Sequence, residues 1–338
     1  MQKTPLSLTK SAGAETAQVT ALSVADLASY ADGWLLDCEI RQHSAQTRGF
    51  RRMMLDKLLW LLREKEYASC GRIEIRAFLA YLSTGHTAAG GRWGNAQLTE
   101  AVRPSTSKTY HSHLRTFFRW LVAEGVLSAS PMDTLAAPIA RPDQIQPFTE
   151  KQIESLLAAC RRTNHPKRDE AIVMFLLDTG VRASELCSLR LSDIDTAGRT
   201  GTVLGKGNKR RSVYFGRTAA KALWNYLRED AREKDAPVFL SDRGTRAGEA
   251  LTRNGLGQLV ERLGKAARIE ATRCSPHTFR HTFAVDFLRA GGNVFSLMQL
   301  LGHTNPQMTS RYVSLAQADL AAQHRQFSPL DQMRKKGA

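Results

Sequence analysis

The chain has 338 residues, a formal net charge of +16 at pH 7 and an isoelectric point near 10.0. This length predicts two domains, and the basic excess favours a polyanionic partner, although basic ribosomal and membrane-surface proteins share that property. The sequence contains no apolar run of about 18 residues and no apolar signal-peptide segment, so we expect a cytoplasmic protein without membrane contact.

The cysteines are dispersed along the chain without any C-x-x-C pair. They are Cys38, Cys70, Cys160, Cys187 and Cys274. An odd, scattered set is typical of reduced thiols and fits neither a disulfide framework nor a zinc site.

The first part of the chain predicts a helical domain. Residues 1–20 are polar and predict a flexible tail, whereas residues 21–137 carry helical patterns. One apolar stripe recurs at helical spacing between basic flanks, and its members are Leu55, Leu58, Leu59 and Leu62. A third helix is predicted over 74–82, followed by a glycine-rich loop over 83–105.

A fourth helix is predicted to end at Gly125. Its inner side consists of Leu114, Phe117, Phe118 and Leu121. Prolines then indicate an extended linker over 138–148. Thr149 and Gln152 form a capping-box signal that starts a second domain over 149–328, and residues 329–338 form a basic tail.

The second domain has a mixed pattern. Residues 171–177 are apolar on nearly every side and predict a buried helix that ends at Gly180. Strand-like segments at 200–204 and 211–215 flank G-K-G-N-K-R, which predicts a β-hairpin, and helices dominate afterwards. The predicted fold class is therefore mainly α with a small antiparallel β-sheet.

Arg182 lies in T-G-V-R-A-S-E-L (179–186), just before a predicted helix that starts near Ser184. A guanidinium there adds to the positive end of the helix dipole, so that both can face one phosphate. The alternative is a surface ion pair between Arg182 and Glu185.

Lys206 lies between two glycines at the predicted hairpin tip, where a flexible ammonium can reach a substrate. The alternative is an ordinary basic turn. Next to it, Lys209, Arg210 and Arg211 are candidates for contacts with DNA phosphates.

The segment S-P-H-T-F-R-H (275–281) predicts a helix start, with Ser275 and Pro276 as cap and first residue. His277 and Arg280 then share one face, and a second face that should be buried consists of Phe279, Phe283 and Phe287. His277 and His281 at i, i+4 also suggest a zinc pair, but the general base of a metalloprotease is missing. His281 is more simply a structural, hydrogen-bonded residue.

His303 follows Gly302 in a turn after a helix that begins near Asn293, and Tyr312 lies on the next helix. The basic groups upstream of this phenol are Arg182, Lys206, His277, Arg280 and His303. Two arginines, a lysine and two histidines around one possible nucleophile suit phosphoryl transfer through an anionic transition state.

These motifs and their spacing resemble the tyrosine site-specific recombinases, the phage-integrase family. The likeness to the catalytic domain covers 148–327, and 21–137 resembles the helical core-binding domain of the same family. The departures are minor: Ser314 stands where histidine is often found, and Tyr214 where proline is frequent.

The resemblance implies roles for the motif residues. Arg182 binds the scissile phosphate with Glu185 orienting its neighbours, Lys206 is the general acid, and Tyr312 forms a 3′-phosphotyrosyl bond. The covalent link conserves the phosphodiester energy and the cations supply positive charge, so neither a cofactor nor a metal is implied.

The resemblance also implies partners: a double-stranded DNA recombination site, a homo-tetramer on that DNA that exchanges strands through a Holliday junction, and a possible partner recombinase. We expect a simple Xer-like or transposon-borne recombinase associated with the nucleoid. Residues 315–324 can dock on a neighbouring protomer or pack on their own domain. Two alternatives are a type IB topoisomerase-like relaxing enzyme and a non-catalytic DNA-binding protein.

Overall fold

The computed structural model describes residues 20–87, 90–141, 144, 146–205, 209–242, 247–303, 305–316, 324, 328, 330 and 333. The chain divides into two compact units, residues 1–143 (unit 1) and 144–338 (unit 2), each with its own apolar core. The division falls within the proline-containing segment that the sequence predicts as a linker. Among the described helices, none is long and apolar enough to cross a membrane.

Unit 1 is built mainly from helices. They are α1 (Val24–Ile40), α2 (Ala45–Glu64), α3 (Arg72–Ser83) and α4 (Pro104–Ala123). Two short strands, β1 (Leu22–Ser23) and β2 (Ser69–Cys70), pair antiparallel with Leu22 opposite Cys70. The sequence did not predict this sheet, because two residues are too few to show an alternating pattern.

Local sequence explains where these helices begin and what they bury. The hydroxyls of Ser23 and Ser44 accept hydrogen bonds from the first turns of α1 and α2. The predicted apolar stripe of α2 lies in the core, and so does the predicted inner side of α4. The segment that links α3 to α4 is anchored by Trp93, whose ring packs 4.9 Å from Tyr81 and 5.6 Å from Trp60.

Unit 2 combines helices with one sheet. The helices are α5 (Glu150–Cys160), α6 (Pro166–Thr179), α7 (Ala183–Ser188), α8 (Arg217–Leu227), α9 (Arg253–Ala266), α10 (Pro276–Arg289), α11 (Val294–Leu301) and α12 (Gln307–Ala316), with a 3₁₀ turn at Leu191–Asp193. The strands are β3 (Ile194–Asp195), β4 (Thr200–Leu204) and β5 (Arg210–Tyr214). The expectation of a mainly helical fold with a small antiparallel sheet is confirmed.

The sheet has the antiparallel order β3-β4-β5, with Gly201 opposite Val213 in the central pair. The predicted hairpin is present within one residue of its expected bounds. Strand β3 was not predicted, since its two residues follow the 3₁₀ turn without a strand pattern. Val203 and Val213 point into the core of unit 2, which fixes the hairpin to the helices.

Two apolar clusters support α10. Phe279 is fully buried in the main core of unit 2, where its ring lies 4.9 Å from that of Phe148. Phe283 and Phe287 are only partly buried and pack against a separate cluster that contains Leu301 and Tyr312. The expected burial is therefore confirmed for Phe279, whereas Phe283 and Phe287 are only partly covered. Phe279 packs into the main core of unit 2, and the other two pack against the smaller cluster.

Gly180 ends α6 in the left-handed conformation, with φ of +58°. A Cβ atom at this position would lie 2.4 Å from Phe283 Cδ1 and 3.0 Å from Leu301 Cδ2. The turn therefore requires glycine both for its backbone angle and for the close approach of α10 and α11.

We predict that Gly180→Ala destabilises unit 2 by roughly 2 kcal/mol or more, since it adds left-handed strain to overpacking. Gly257→Ala is the matched control: this glycine is inside α9, and an added Cβ meets open space. Alanine there should stabilise the protein by about 0.5–1 kcal/mol. Urea unfolding of both variants measures the difference, and a Gly180→Ala protein as stable as the parent would contradict this account of the turn.

Candidate active site

The predicted site residues of unit 2 come from four places in the fold. Arg182 is at the N-cap position of α7, and Arg280 lies on α10. His303 lies in the turn between α11 and α12, and Tyr312 is on α12. Lys206, the predicted general acid, lies outside the described residues. The hairpin on either side of it is described and closes with a hydrogen bond from the Gly205 amide to the Lys209 carbonyl of 2.8 Å.

Glu185 is completely buried and binds two arginines. Its Oε1 accepts a hydrogen bond from Arg182 Nη1 at 2.8 Å, and its Oε2 accepts from the Arg182 amide at 2.8 Å and from Arg211 Nη2 at 2.7 Å. Burial alone would raise the pKa of this carboxyl, but the Arg182 amide and the Arg211 guanidinium lower it below its usual range. Glu185 is thus an ionised anchor that orients both guanidiniums.

The ion pair between Arg182 and Glu185, which the sequence left open as the alternative to phosphate binding, is therefore present. It is not an isolated surface pair, because Glu185 is buried and also binds Arg211. The Arg182 side chain is 28% exposed, and its Nη2 also donates to the Gly302 carbonyl at 3.4 Å. The guanidinium is held toward the turn that carries His303 while part of it remains accessible.

Arg211 points inward and is 13% exposed. Besides Glu185, it donates to the carbonyl of Leu300 near the end of α11. Strand β5 is thereby fastened to both α7 and α11. Lys209 and Arg210 are exposed by contrast. The DNA contacts predicted for these three residues stay predictions, and Arg211 also has a structural role that the sequence did not indicate.

Arg280 is 5% exposed and binds three acceptors. Its Nη1 donates to the Gly180 carbonyl at 2.7 Å, and its Nη2 donates to the Leu301 carbonyl at 2.7 Å and to His303 Nε2 at 2.9 Å. Burial and the nearby Arg182 charge lower the pKa of Arg280 to about 10. Both carbonyls lie at helix C-termini, where the helix dipole favours a cation.

His303 is held as a neutral imidazole of defined tautomer. Because a guanidinium only donates, His303 Nε2 must accept from Arg280, and Nδ1 then donates to Thr309 Oγ1 at 2.9 Å. Burial, followed by the charges of Arg280, Arg182 and Arg211, lowers the pKa of His303 to about 4. Thr309 is fully buried and fixes the tautomer of His303 through this hydrogen bond. No pattern in the sequence indicated this role.

Tyr312 is 4% exposed, and its ring lies nearly parallel to that of His303 at 6.4 Å between centroids. Its hydroxyl is hydrogen bonded to His281 Nδ1 at 2.8 Å. Burial raises the pKa of Tyr312, while Arg280, Arg311 and Arg182 act in the opposite direction. The sequence predicted a hydrogen-bonded His281 but gave no sign that its partner is the candidate nucleophile.

His277 lies one turn before His281 on α10, and its side chain is exposed. Desolvation by the surrounding protein lowers its pKa, as do the charges of Arg280, Arg182 and Arg273. These influences place His277 in the same cationic surroundings as the other candidates. Within the described part of the chain, no group of three His, Cys, Asp or Glu residues is arranged to hold a metal ion.

An open cleft of about 710 Å³ lies beside these groups. It is lined by Arg182, Lys209, Arg210, Arg211 and His303, together with apolar side chains that include Phe295 and Met308. A cleft with this many cations attracts anions, and Arg182 presents its guanidinium there next to the start of α7. The geometry suits a phosphodiester held between Arg182 and the His303 turn.

Comparisons with known proteins agree with this chemistry. The profile of the phage integrase family matches residues 146–319. Tyrosine recombinase XerC of Leptospira interrogans is 31% identical over 278 residues, which cover 79% of this chain and 82% of the relative. The chain belongs to the phage integrase family. Tyrosine recombinase XerC of Mycobacterium tuberculosis is 35% identical over 248 residues, covering 70% of this chain and 78% of the relative.

A solved structure shares the fold. The Tn1549 transposon integrase in complex with transposon right end DNA aligns with 91% of this chain and 100% of that chain, with a TM-score of 0.66 and 20% identity. The protein is thus a tyrosine recombinase, an enzyme of site-specific DNA recombination, as the motifs indicated. Neither the topoisomerase alternative nor the non-catalytic one is favoured by these relatives.

We predict that His303 makes stability depend on pH. Its folded pKa of about 4 lies below the unfolded value near 6.5, so the unfolded state binds the extra proton between these pH values. The stability contribution is complete above pH 6.5 and declines as pH falls toward 4. The limiting slope is about 1.4 kcal/mol per pH unit for each histidine, and partial exposure reduces it.

Urea unfolding at pH 7 and pH 5 measures this effect. His303→Gln keeps an acceptor for Arg280 and should lose less stability over this interval than the parent protein. His165→Gln makes the same substitution at an exposed histidine before α6 and serves as the matched control. Equal losses in His303→Gln and the parent would contradict the neutral His303.

Proposed function

We propose that Tyr312 is the nucleophile with which this recombinase cleaves one strand of a duplex recombination site. The phenol oxygen bonds to the scissile phosphorus, the bond to the 5′-oxygen breaks, and a 3′-phosphotyrosyl link with a free 5′-hydroxyl results. The observation that carries the proposal is the convergence of Arg182, Arg280 and His303 on Tyr312 within one unit of one chain.

Arg182 is the proposed primary ligand of the scissile phosphate. It is partly exposed, it lines the basic cleft, and Glu185 fixes its orientation from the buried side. Arg280 is more deeply buried and adds its positive charge. His277 is proposed to donate to a phosphate oxygen, and His303, whose Nε2 accepts from Arg280, is proposed to orient that guanidinium. Preorganised positive charge of this kind stabilises the anionic transition state.

Lys206 is the proposed acid that protonates the leaving 5′-oxygen, by resemblance to the family pattern G-K-G at the hairpin tip. The described strands β4 and β5 support this assignment, because Arg211 fastens β5 to the elements that carry Arg182 and His303. Lysine is a poor acid in water, and the neighbouring cations would lower its pKa. No high-energy cofactor and no metal enters the proposed reaction, since the phosphotyrosyl bond conserves the phosphodiester energy.

The proposed DNA partner follows from the basic cleft and from the solved complex of the Tn1549 integrase with DNA. We propose that residues 21–137 bind the recombination site and that residues 149–328 carry out the chemistry. Exchange of strands between two duplexes needs four nucleophiles, which implies a homo-tetramer, or an assembly with a partner recombinase, and a Holliday junction. Most of 315–324, the proposed contact between protomers, lies outside the described residues.

We predict that a nicked half-site duplex traps a covalent adduct with the parent protein in the presence of EDTA. Tyr312→Phe removes the nucleophilic oxygen and should reduce the adduct to background while leaving DNA binding intact. Tyr214→Phe makes the same chemical change at an exposed tyrosine of β5 and should form adduct at the parent rate.

Adduct formation is read on a denaturing gel, and binding by mobility shift. An adduct formed by Tyr312→Phe would place the nucleophile elsewhere. A strict requirement for a divalent metal would contradict the proposed role of the arginines.

A further inference from the structure

His281 touches the candidate nucleophile but has no role in the mechanism proposed above. Its Nδ1 lies 2.8 Å from the Tyr312 hydroxyl oxygen, across the interface between α10 and α12. Their ring centroids are 5.6 Å apart, and Tyr312 is almost completely buried. Within the described part of the chain, His281 is the hydrogen-bond partner of this hydroxyl.

The direction of this hydrogen bond follows from the charges around it. His277 and Arg280 face His281 along α10, and Arg311 faces it from α12. Burial and these three groups lower the pKa of His281 to about 4, so its ring is neutral at pH 7. Since burial raises the pKa of Tyr312, the phenol keeps its proton and donates it to the Nδ1 lone pair.

We propose that His281 is the general base for Tyr312 and takes the phenol proton at Nδ1 during strand cleavage. The inference rests on the proposed role of Tyr312 as nucleophile. The O–H bond of Tyr312 breaks as the N–H bond of His281 forms, and the phenol oxygen bonds to phosphorus. The 5′-oxygen leaves with a proton from a separate acid. In the reverse step, the 5′-hydroxyl attacks the phosphotyrosyl bond and His281 returns the proton to the Tyr312 oxygen.

Phosphate binding links this proton transfer to the presence of DNA. In the free protein, the cations next to His281 make it a weak base, and the buried Tyr312 stays protonated. A phosphodiester bound by Arg182 and Arg280 adds negative charge to the same surroundings, which offsets part of their effect and makes His281 more basic. The nucleophile is therefore activated when its substrate is in place.

The direct test replaces His281 by asparagine, whose side-chain oxygen occupies nearly the position of Nδ1. His281→Asn keeps a hydrogen-bond acceptor for Tyr312 but cannot hold its proton. We expect single-turnover cleavage of the nicked half-site at pH 7 to slow by about 100-fold, because general bases contribute at least this much. Affinity for the half-site should be unchanged. The rate should also keep rising with pH in the variant, as the phenol ionises without help.

Fluorinated tyrosine at position 312 tests whether His281 accepts the phenol proton or only holds Tyr312 in position. Fluorine lowers the phenol pKa, so this nucleophile depends less on a base. The substitution should recover part of the lost rate in His281→Asn but not accelerate the parent to the same extent. Equal rates for His281→Asn and the parent, or an equal effect of fluorination in both proteins, would refute the role of His281 as base.

Two controls show whether a slow reaction of the His281 variant reflects loss of the base. His165→Asn makes the same change at an exposed histidine and should cleave at the parent rate, while thermal unfolding verifies that the His281 variant is folded. If His281→Asn unfolds, His281→Gln replaces it with the same expectations. An adduct formed by Tyr312→Phe would overturn the proposed function and this inference together. Loss of the adduct in Tyr312→Phe with full activity in His281→Asn would overturn this inference alone.

Discussion

The buried guanidinium of Arg280 holds the site together, because it binds the ends of two helices and a histidine at once. Its acceptors are the carbonyls of Gly180 and Leu301 and the imidazole of His303. An uncompensated buried charge costs several kcal/mol, and here helix C-termini offset that cost. These described acceptors are all neutral, so a bound phosphodiester would supply the anion that best complements the cation. The same bonds fix the turn that precedes Tyr312.

A second group of charged side chains, Glu185 with Arg182 and Arg211, also belongs to the site. Glu185 is fully buried and ionised, and its two oxygens accept hydrogen bonds from the guanidinium of Arg182 and the guanidinium of Arg211, respectively. Arg211 also donates to the carbonyl of Leu300, and the neighbouring carbonyl of Leu301 accepts from Arg280. Hydrogen bonds of these arginines therefore link four parts of unit 2: the hairpin, α7, α10 and the α11–α12 turn. A change at any of these positions is expected to disturb phosphate binding as well as local stability.

The sequence predicted the features that depend on neighbours along the chain. The caps at Thr149 and Ser275, the glycine ends of α6 and α11, and the presence of the β4–β5 hairpin all follow from local rules. Contacts between distant elements could not be read in this way. The inward direction of Arg211 and the bond between His281 and Tyr312 depend on how β5, α10 and α12 pack, and helical spacing along α10 alone does not reveal that packing.

The central claim is that Tyr312 acts together with the arginines of its own chain, since it packs against His281 and His303 of its own unit. Mixing two inactive variants, Arg182→Ala and Tyr312→Phe, on the same nicked recombination site tests this claim most directly. If the nucleophile acts within its own chain, the mixture should form no more covalent adduct than either variant alone. Restoration of the adduct in the mixture would show that Tyr312 acts on a phosphate bound by another protomer, which would contradict the account.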